Sequence, residues 1–190
     1  MIAFLDLETD GLEEDASILE VGIVVTDKDL NSIAIFRELV QPVGFPGPGL
    51  VKPGIDPFVL EMHTKNSLWT DLERYGRRRH EVEDDLCLRV AAVLGDQVGK
   101  VPVAGNSVGW DRAMLKRHMP RLNALFHRHV IDLTSFNRAA ERWAKTVYAN
   151  RPRSGSEAGG AHRALGDALD SLELCRHYRD NLFVARDGSE

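Results

Sequence analysis

Asp6-Leu7-Glu8 is the first place in the chain where residue types and spacing could do chemistry. It lies in an apolar stretch, residues 2 to 8, that reads as a buried strand, and on a strand residues i and i+2 point to the same face. Both carboxylates therefore project together while Leu5 and Leu7 enter the other side. Two acids side by side repel each other and lose hydration, so something must compensate. A divalent cation such as Mg²⁺ or Mn²⁺, which takes hard oxygen ligands, would do so. The plain alternative is a pair of solvent-exposed acids at the end of an edge strand. Asp10 and Glu13 to Asp15 follow in a turn-like stretch and read as caps and solvated charge. A third acid, Asp111, sits in Val103-Ala104-Gly105-Asn106-Ser107-Val108-Gly109-Trp110-Asp111-Arg112. There a short strand enters a small-residue turn and a helix begins, so the carboxylate could face back toward the strand ends, or merely favour the helix dipole. The fourth element is His162-Arg163-Ala164-Leu165-Gly166-Asp167. Asp167 falls more than one turn inside a helix, between Leu165, Ala168 and Leu169 on the packed side, and an acid among such neighbours needs a partner. Asp170 reads as an exposed helix charge.

These residues need elements to position them, and the chain alternates strands and helices with no internal repeat. Residues 18 to 27 are β-branched and apolar enough for a second strand and 33 to 40 for a third, with connections short enough for an antiparallel meander. From 41 to 54 the Pro- and Gly-rich chain reads as a surface loop. Short helical pieces are expected over 56 to 75. Val82, Leu86, Val90, Val93 and Leu94 predict an amphipathic helix over 80 to 98. A short strand at 101 to 104, a helix at 109 to 118, a strand at 129 to 133 and a helix at 134 to 146 follow. Residues 149 to 161 read as a flexible loop, and the last helix spans 162 to 180. Three meander strands followed by strand and helix units give an α/β domain with a mixed sheet.

A chain of 190 residues, 43% hydrophobic and 28% charged, has the make-up of one globular domain, taken here as 1 to 183 with a frayed tail at 184 to 190. Its apolar runs are far shorter than the ~20 residues of a membrane span, and the start lacks the basic and apolar blocks of a secretory signal. A cytoplasmic protein is expected. Cys87 and Cys175 have no metal-ligand spacing and read as buried free thiols. The net charge of −5 conceals a basic belt: residues 112 to 153 carry ten Lys or Arg against Asp132 and Glu141. Such a belt would attract a polyanion locally, unless its members are simply solvated helix faces.

Taken together, Asp-x-Glu on a first strand, a central Asp, and His-x4-Asp at the last helix resemble the DEDDh group of 3′ to 5′ exonucleases. The resemblance is closer still to the oligoribonucleases. That family is matched by Leu5-Asp6-Leu7-Glu8 with Gly11-Leu12, His63-Thr64 with Ser67-Leu68, Gly105 to Gly109 with Asp111-Arg112, Met119-Pro120, Phe126-His127, Asp132, Arg142-Trp143, and His162 to Leu165 with Asp167. The motifs run in order from residue 3 to about 180.

The resemblance implies a ribonuclease-H-like fold with a five-stranded mixed sheet flanked by helices. It implies two Mg²⁺ or Mn²⁺ ions about 3.5–4 Å apart on Asp6, Glu8, Asp111 and Asp167, one acidifying the attacking water and one stabilising the leaving 3′ oxygen. His162 becomes the general base, brought in by the Gly-rich loop before it acting as a lid. Single-stranded RNA, or DNA, would be cut from the 3′ end to nucleoside 5′-monophosphates by a homodimer. Leu12 and Phe58 would pack on the terminal bases, Phe58 where many relatives carry Trp, with His63 near the site. Ser107 and Thr134 keep the phosphate-contacting hydroxyls, whereas Arg128-His129 replaces the family's Tyr-Arg pair at the 5′-phosphate end. A DNA-directed exonuclease of the same group and a non-catalytic nucleic-acid-binding domain on the same fold are the rival readings.

Overall fold

Alternating apolar residues build the centre of the sheet first. In the computed structural model, which describes residues 1–13, 15–45, 54–153 and 162–183, strands β1 (Ile2–Thr9), β2 (Ile18–Thr26) and β3 (Ser32–Gln41) form the expected antiparallel meander. After helices α1 (Pro57–Lys65) and α2 (Leu68–Tyr75), a two-residue strand β4 (Arg77–Arg78) joins β3 in parallel at Val40 and Gln41. Helix α3 (Arg79–Leu94) then returns the chain, through a 3₁₀ turn at Gly95–Gln97, to β5 (Val103–Gly105). Helices α4 (Val108–His118) and α5 (Pro120–Ala124) lead to β6 (Val130–Asp132), followed by α6 (Leu133–Trp143), α7 (Lys145–Ala149) and α8 (Ala164–Leu182). The sheet order is β4-β3-β2-β1-β5-β6, with β5 parallel to both β1 and β6.

β1 is thus a central strand covered on both faces, which removes the edge-strand reading of its acids. Ala3, Leu5 and Leu7, with Val21, Ile23 and Val25, pack against Val82, Leu86, Val90 and Leu94 of α3 and Met114 and Leu115 of α4. Phe4 and Val24, with Ala104, pack against Ala168, Leu172 and Tyr178 of α8 and Leu133 and Ala140 of α6. Each fully buried large side chain of this kind contributes about 1.5–3 kcal/mol. The period of two puts Asp6 and Glu8 on the α8 face with Phe4.

Two glycines let the layers close. A Cβ on Gly22 would lie 2.3 Å from the carbonyl carbon of Ala164, so the start of α8 rests directly on β2, beside Asp6, whose Cα partner is Gly22. A Cβ on Gly105 would lie 2.7 Å from the Leu5 carbonyl oxygen, so the turn from β5 into α4 hugs β1.

The sheet has six strands where five were expected. β4 is two basic residues with no apolar alternation, and its pairing comes from where α2 and α3 place it. The helix expected at 134 to 146 breaks at Ala144, α3 is followed by a 3₁₀ turn instead of reaching 98, and α5 is an added short helix. Cys87 and Cys175 are half-buried rather than buried. Residues 46–53 of the expected surface loop, 154–161 of the expected lid and the tail 184–190 lie outside the described residues. Among the described residues no helix is long and apolar enough to cross a membrane.

Candidate active site

Three of the four acids singled out in the sequence meet on the α8 face of the sheet. One carboxylate oxygen from each of Asp6, Glu8 and Asp167 falls within 4.8 Å of the others. Asp6 and Glu8 come from the end of β1, and Asp167 from the first turn of α8, set down there by the contact at Gly22. Asp111 stands outside this tight set. Its Oδ1 accepts the Leu7 backbone N–H at 3.0 Å, and after burial its charge is the largest influence on Asp6. One oxygen of Asp111 is thereby fixed to β1.

The electrostatics are those of acids packed without cations. Burial, followed by the charges of Asp111, Asp167 and Glu8, holds the Asp6 carboxyl well above the usual carboxylate range. Glu8 is raised to about 8 by burial and then by Asp167, Glu20 and Asp111. Burial raises Asp111 to about 7 and Asp167 to about 6. Among the described residues no Lys or Arg pairs with any of the four, and the nearest basic group to Glu8 is His63 Nε2 at 3.9 Å. A compact all-oxygen donor set that cannot carry its own charge fits a divalent cation, Mg²⁺ and Mn²⁺ included.

A fifth acid, Glu20, interrupts the otherwise apolar strand β2. It is the Cα partner of Glu8 across β1 and β2, where like charges repel, and it is fully buried in a strand whose nine residues are all buried. Two guanidinium groups neutralise it. Arg163 Nε and Nη2 donate to its two oxygens at 3.0 Å each, and Arg37 Nε donates at 2.5 Å. Glu20 Oε2 also accepts the Ala164 backbone N–H at 3.1 Å, capping α8, whose own N-cap side chain makes no such bond. Asp71 Oδ2 accepts from Arg163 Nη2 at 2.9 Å. Glu20 and Arg163 thus pin the start of α8, and with it His162 and Asp167, to the sheet. A lone acid in an otherwise apolar strand is the signal that could have found Glu20; its partner lies too far away in sequence to be read.

His162 is exposed and sits near enough to Asp167 for its charge to oppose the rise of that carboxyl. His63 is 0% exposed, its Nε2 hydrogen-bonded to the Thr9 carbonyl at 3.0 Å, and burial holds its pKa down. It therefore lies beneath Glu8 and presents no open edge to a substrate. Leu12 and Phe58 are 79% and 72% exposed, so core packing is excluded for both. The Ser107 and Thr134 hydroxyls are 3.1 Å apart, and the Ser107 N–H donates to Asp132 Oδ1 at 3.1 Å and Thr134 Oγ1 at 2.9 Å. Arg128 and His129 are exposed in the segment before β6. Part of the basic belt is turned to structural use: Arg112 donates to the Asn123 and His127 carbonyls, Arg121 pairs with Asp84, and Arg151 covers the Tyr148 ring.

A central mixed sheet with four acids gathered at one end of its middle strand is the arrangement of a metal-dependent nuclease. The exonuclease family of RNase T type matches residues 3–175. An oligoribonuclease of Corynebacterium diphtheriae is 35% identical over 179 residues, covering 94% of this chain and 81% of that one. An oligoribonuclease of Streptomyces coelicolor is 34% identical over 190 residues, covering 100% and 90%. Solved structures share the fold at low identity. The Mg²⁺- and Mn²⁺-bound form of S. pombe Pop2p has a TM-score of 0.68 at 15% identity, over 96% of this chain and 84% of that one. A zinc-bound E. coli ExoI–ssDNA complex has a TM-score of 0.67 at 15% identity, over 95% of this chain but only 40% of that one. The chain belongs to the RNase T-type exonucleases and, within them, to the oligoribonuclease family.

Proposed function

We propose that the protein is a cytoplasmic, homodimeric 3′ to 5′ exoribonuclease that degrades short single-stranded RNA to nucleoside 5′-monophosphates. One observation carries the reading: four buried or half-buried carboxylates gathered about the end of a central strand, with no Lys or Arg partner among the described residues, in an oligoribonuclease chain. Two divalent ions held by Asp6, Glu8, Asp111 and Asp167 would activate the attacking water and offset charge on the leaving oxygen. His162 takes the proton of that water on an imidazole nitrogen as the oxygen attacks phosphorus. The bond from phosphorus to the 3′ oxygen then breaks, the freed 3′ oxygen is protonated from solvent, and the terminal nucleotide leaves as its 5′-monophosphate. His63 holds the Thr9 carbonyl and backs Glu8, steadying the ligand strand from below. Exposed Leu12 and Phe58 are free to pack on the last bases, an interaction tolerant of any base, while Ser107, Thr134, Arg128 and His129 take the phosphate on the far side.

The test uses 5′-labelled single-stranded RNA and DNA of the same sequence, with Mg²⁺, with Mn²⁺ and with EDTA. Stepwise shortening from the 3′ end with release of 5′-monophosphates, faster on RNA and abolished both by EDTA and by Asp111→Asn, is expected. A DNA preference would move the enzyme to the DNA-directed branch. Activity of Asp111→Asn within tenfold of the parent at saturating Mg²⁺ would remove that acid from the ligand set.

A further inference from the structure

His162 has a backbone φ of 59°. In this left-handed region a non-glycine residue costs roughly 1–2 kcal/mol, and the conformation persists only where its surroundings hold it. What holds it is the turn between α1 and α2. The side-chain amide of Asn66 donates from Nδ2 to the His162 carbonyl. The other end of the same amide, Oδ1, accepts the Leu68 N–H at 3.0 Å, so both ends are engaged. The Asn66 backbone carbonyl accepts from Arg163 Nη1 at 3.1 Å, and its backbone N–H closes α1 on the Met62 carbonyl at 3.1 Å. Helix α1 is tied to the site in turn, since its His63 bonds the Thr9 carbonyl at the end of β1.

We propose that Asn66 is a positioning residue for the reaction: its side-chain amide holds the left-handed backbone of His162 and so aims the imidazole at the acid cluster. The inference rests on the reading of His162 as the base. Asn66 differs from Glu20 and Arg163 in what it controls. Those two fix the whole start of α8, Asp167 included, whereas the Asn66 side chain touches the site only through the His162 carbonyl. Without that donor, the 162 peptide is free to relax to an ordinary right-handed or extended conformation, which turns the imidazole away while leaving the carboxylates in place.

The experiment is a double-mutant cycle on a short single-stranded RNA. It uses Asn66→Ala, Asn66→Asp, His162→Ala and the two combinations, each checked for folding by its thermal melt. Asn66→Asp keeps the acceptor for the Leu68 N–H and turns the donor into a carboxylate oxygen that repels the His162 carbonyl, so it reads the His162 contact even if Asn66→Ala fails to fold. Each single Asn66 substitution should lower kcat by about 10- to 100-fold, the scale of a small misplacement of a reacting group. KM and calorimetric Mn²⁺ affinity should stay within about threefold, and in the His162→Ala background neither substitution should slow the enzyme further. Parental kcat in Asn66→Asp, or an equal loss in the His162→Ala background, would overturn the positioning role. A parental rate for His162→Ala alone would refute the base assignment itself.

Discussion

Replacing Glu8 by Gln should stabilise the metal-free protein, by an amount that grows with pH. Glu8 is 7% exposed, and its carboxyl is raised from 4.5 to about 8 by burial and then by Asp167, Glu20 and Asp111. Between those two pH values the folded state binds a proton that the unfolded chain has released. Stability of the metal-free parent therefore falls as pH rises from about 4.5 to about 8. At pH 7 taking up that proton costs about 3 kcal/mol, and at pH 5 about 1 kcal/mol. Glutamine has nearly the same shape and no proton to acquire, so these costs are upper bounds on what Glu8→Gln recovers, part being lost to burying an amide. For a chain of this size the gain in Tm is at most about 6–12 °C at pH 7 and a few degrees at pH 5. The assay is a set of thermal melts in EDTA from pH 5 to pH 8 on parent and variant. With Glu8 among the proposed ligands, saturating Mg²⁺ should reverse the order, because the parent alone would keep the whole set and gain by mass action. A difference between the two proteins that stays flat with pH, or a variant less stable than the parent in EDTA at pH 8, would refute the argument that Glu8 sits protonated in an overcharged cluster.

Three further outcomes follow from the same geometry. His162→Ala should lower the rate by ~10²–10⁴-fold, the share of general-base catalysis, with Mn²⁺ binding retained in calorimetry; loss of Mn²⁺ binding would make His162 a ligand. Gly22→Ala should cost roughly 1–3 kcal/mol in urea unfolding and depress activity as well, because the new methyl meets the Ala164 backbone and lifts Asp167 from Asp6; parental stability and rate would show that α8 does not depend on that contact. Arg128, exposed in the segment before β6 and carrying a long side chain able to swing aside, should give a flat dependence of initial rate on RNA length from two to ten nucleotides; a drop of a hundredfold or more between two and three nucleotides would show that the 5′-phosphate end closes against longer RNA.

Local spacing made much of this protein legible. Asp6 and Glu8 share a face because strands repeat every two residues, and the meander follows from three apolar runs joined by short turns. Asp111 was visible as an acid at the start of a helix and Asp167 as an acid among apolar neighbours more than a turn inside one; α8 in fact begins at Ala164, which puts Asp167 in its first turn. Periodicity says which face a side chain takes, but not what will meet it there. Whether β1 lay at an edge or at the centre, and so whether its acids were solvated or forced together, was decided by β5 pairing in parallel from a hundred residues away. Glu20 carries no local pattern, and its meaning comes from Arg163, which is 143 positions distant in the chain. Asn66 looks like an ordinary helix-ending residue, and only its approach to His162, 96 positions on, gives it a role. The two-residue β4 had no apolar alternation to announce it. The sequence by itself determined the chemistry of the donor set and the strand and helix that carry it. Which buried charge is neutralised, and which is left for a cation, was decided by tertiary packing, because a charge's cost depends on the groups within a few ångströms of it and not on its neighbours along the chain.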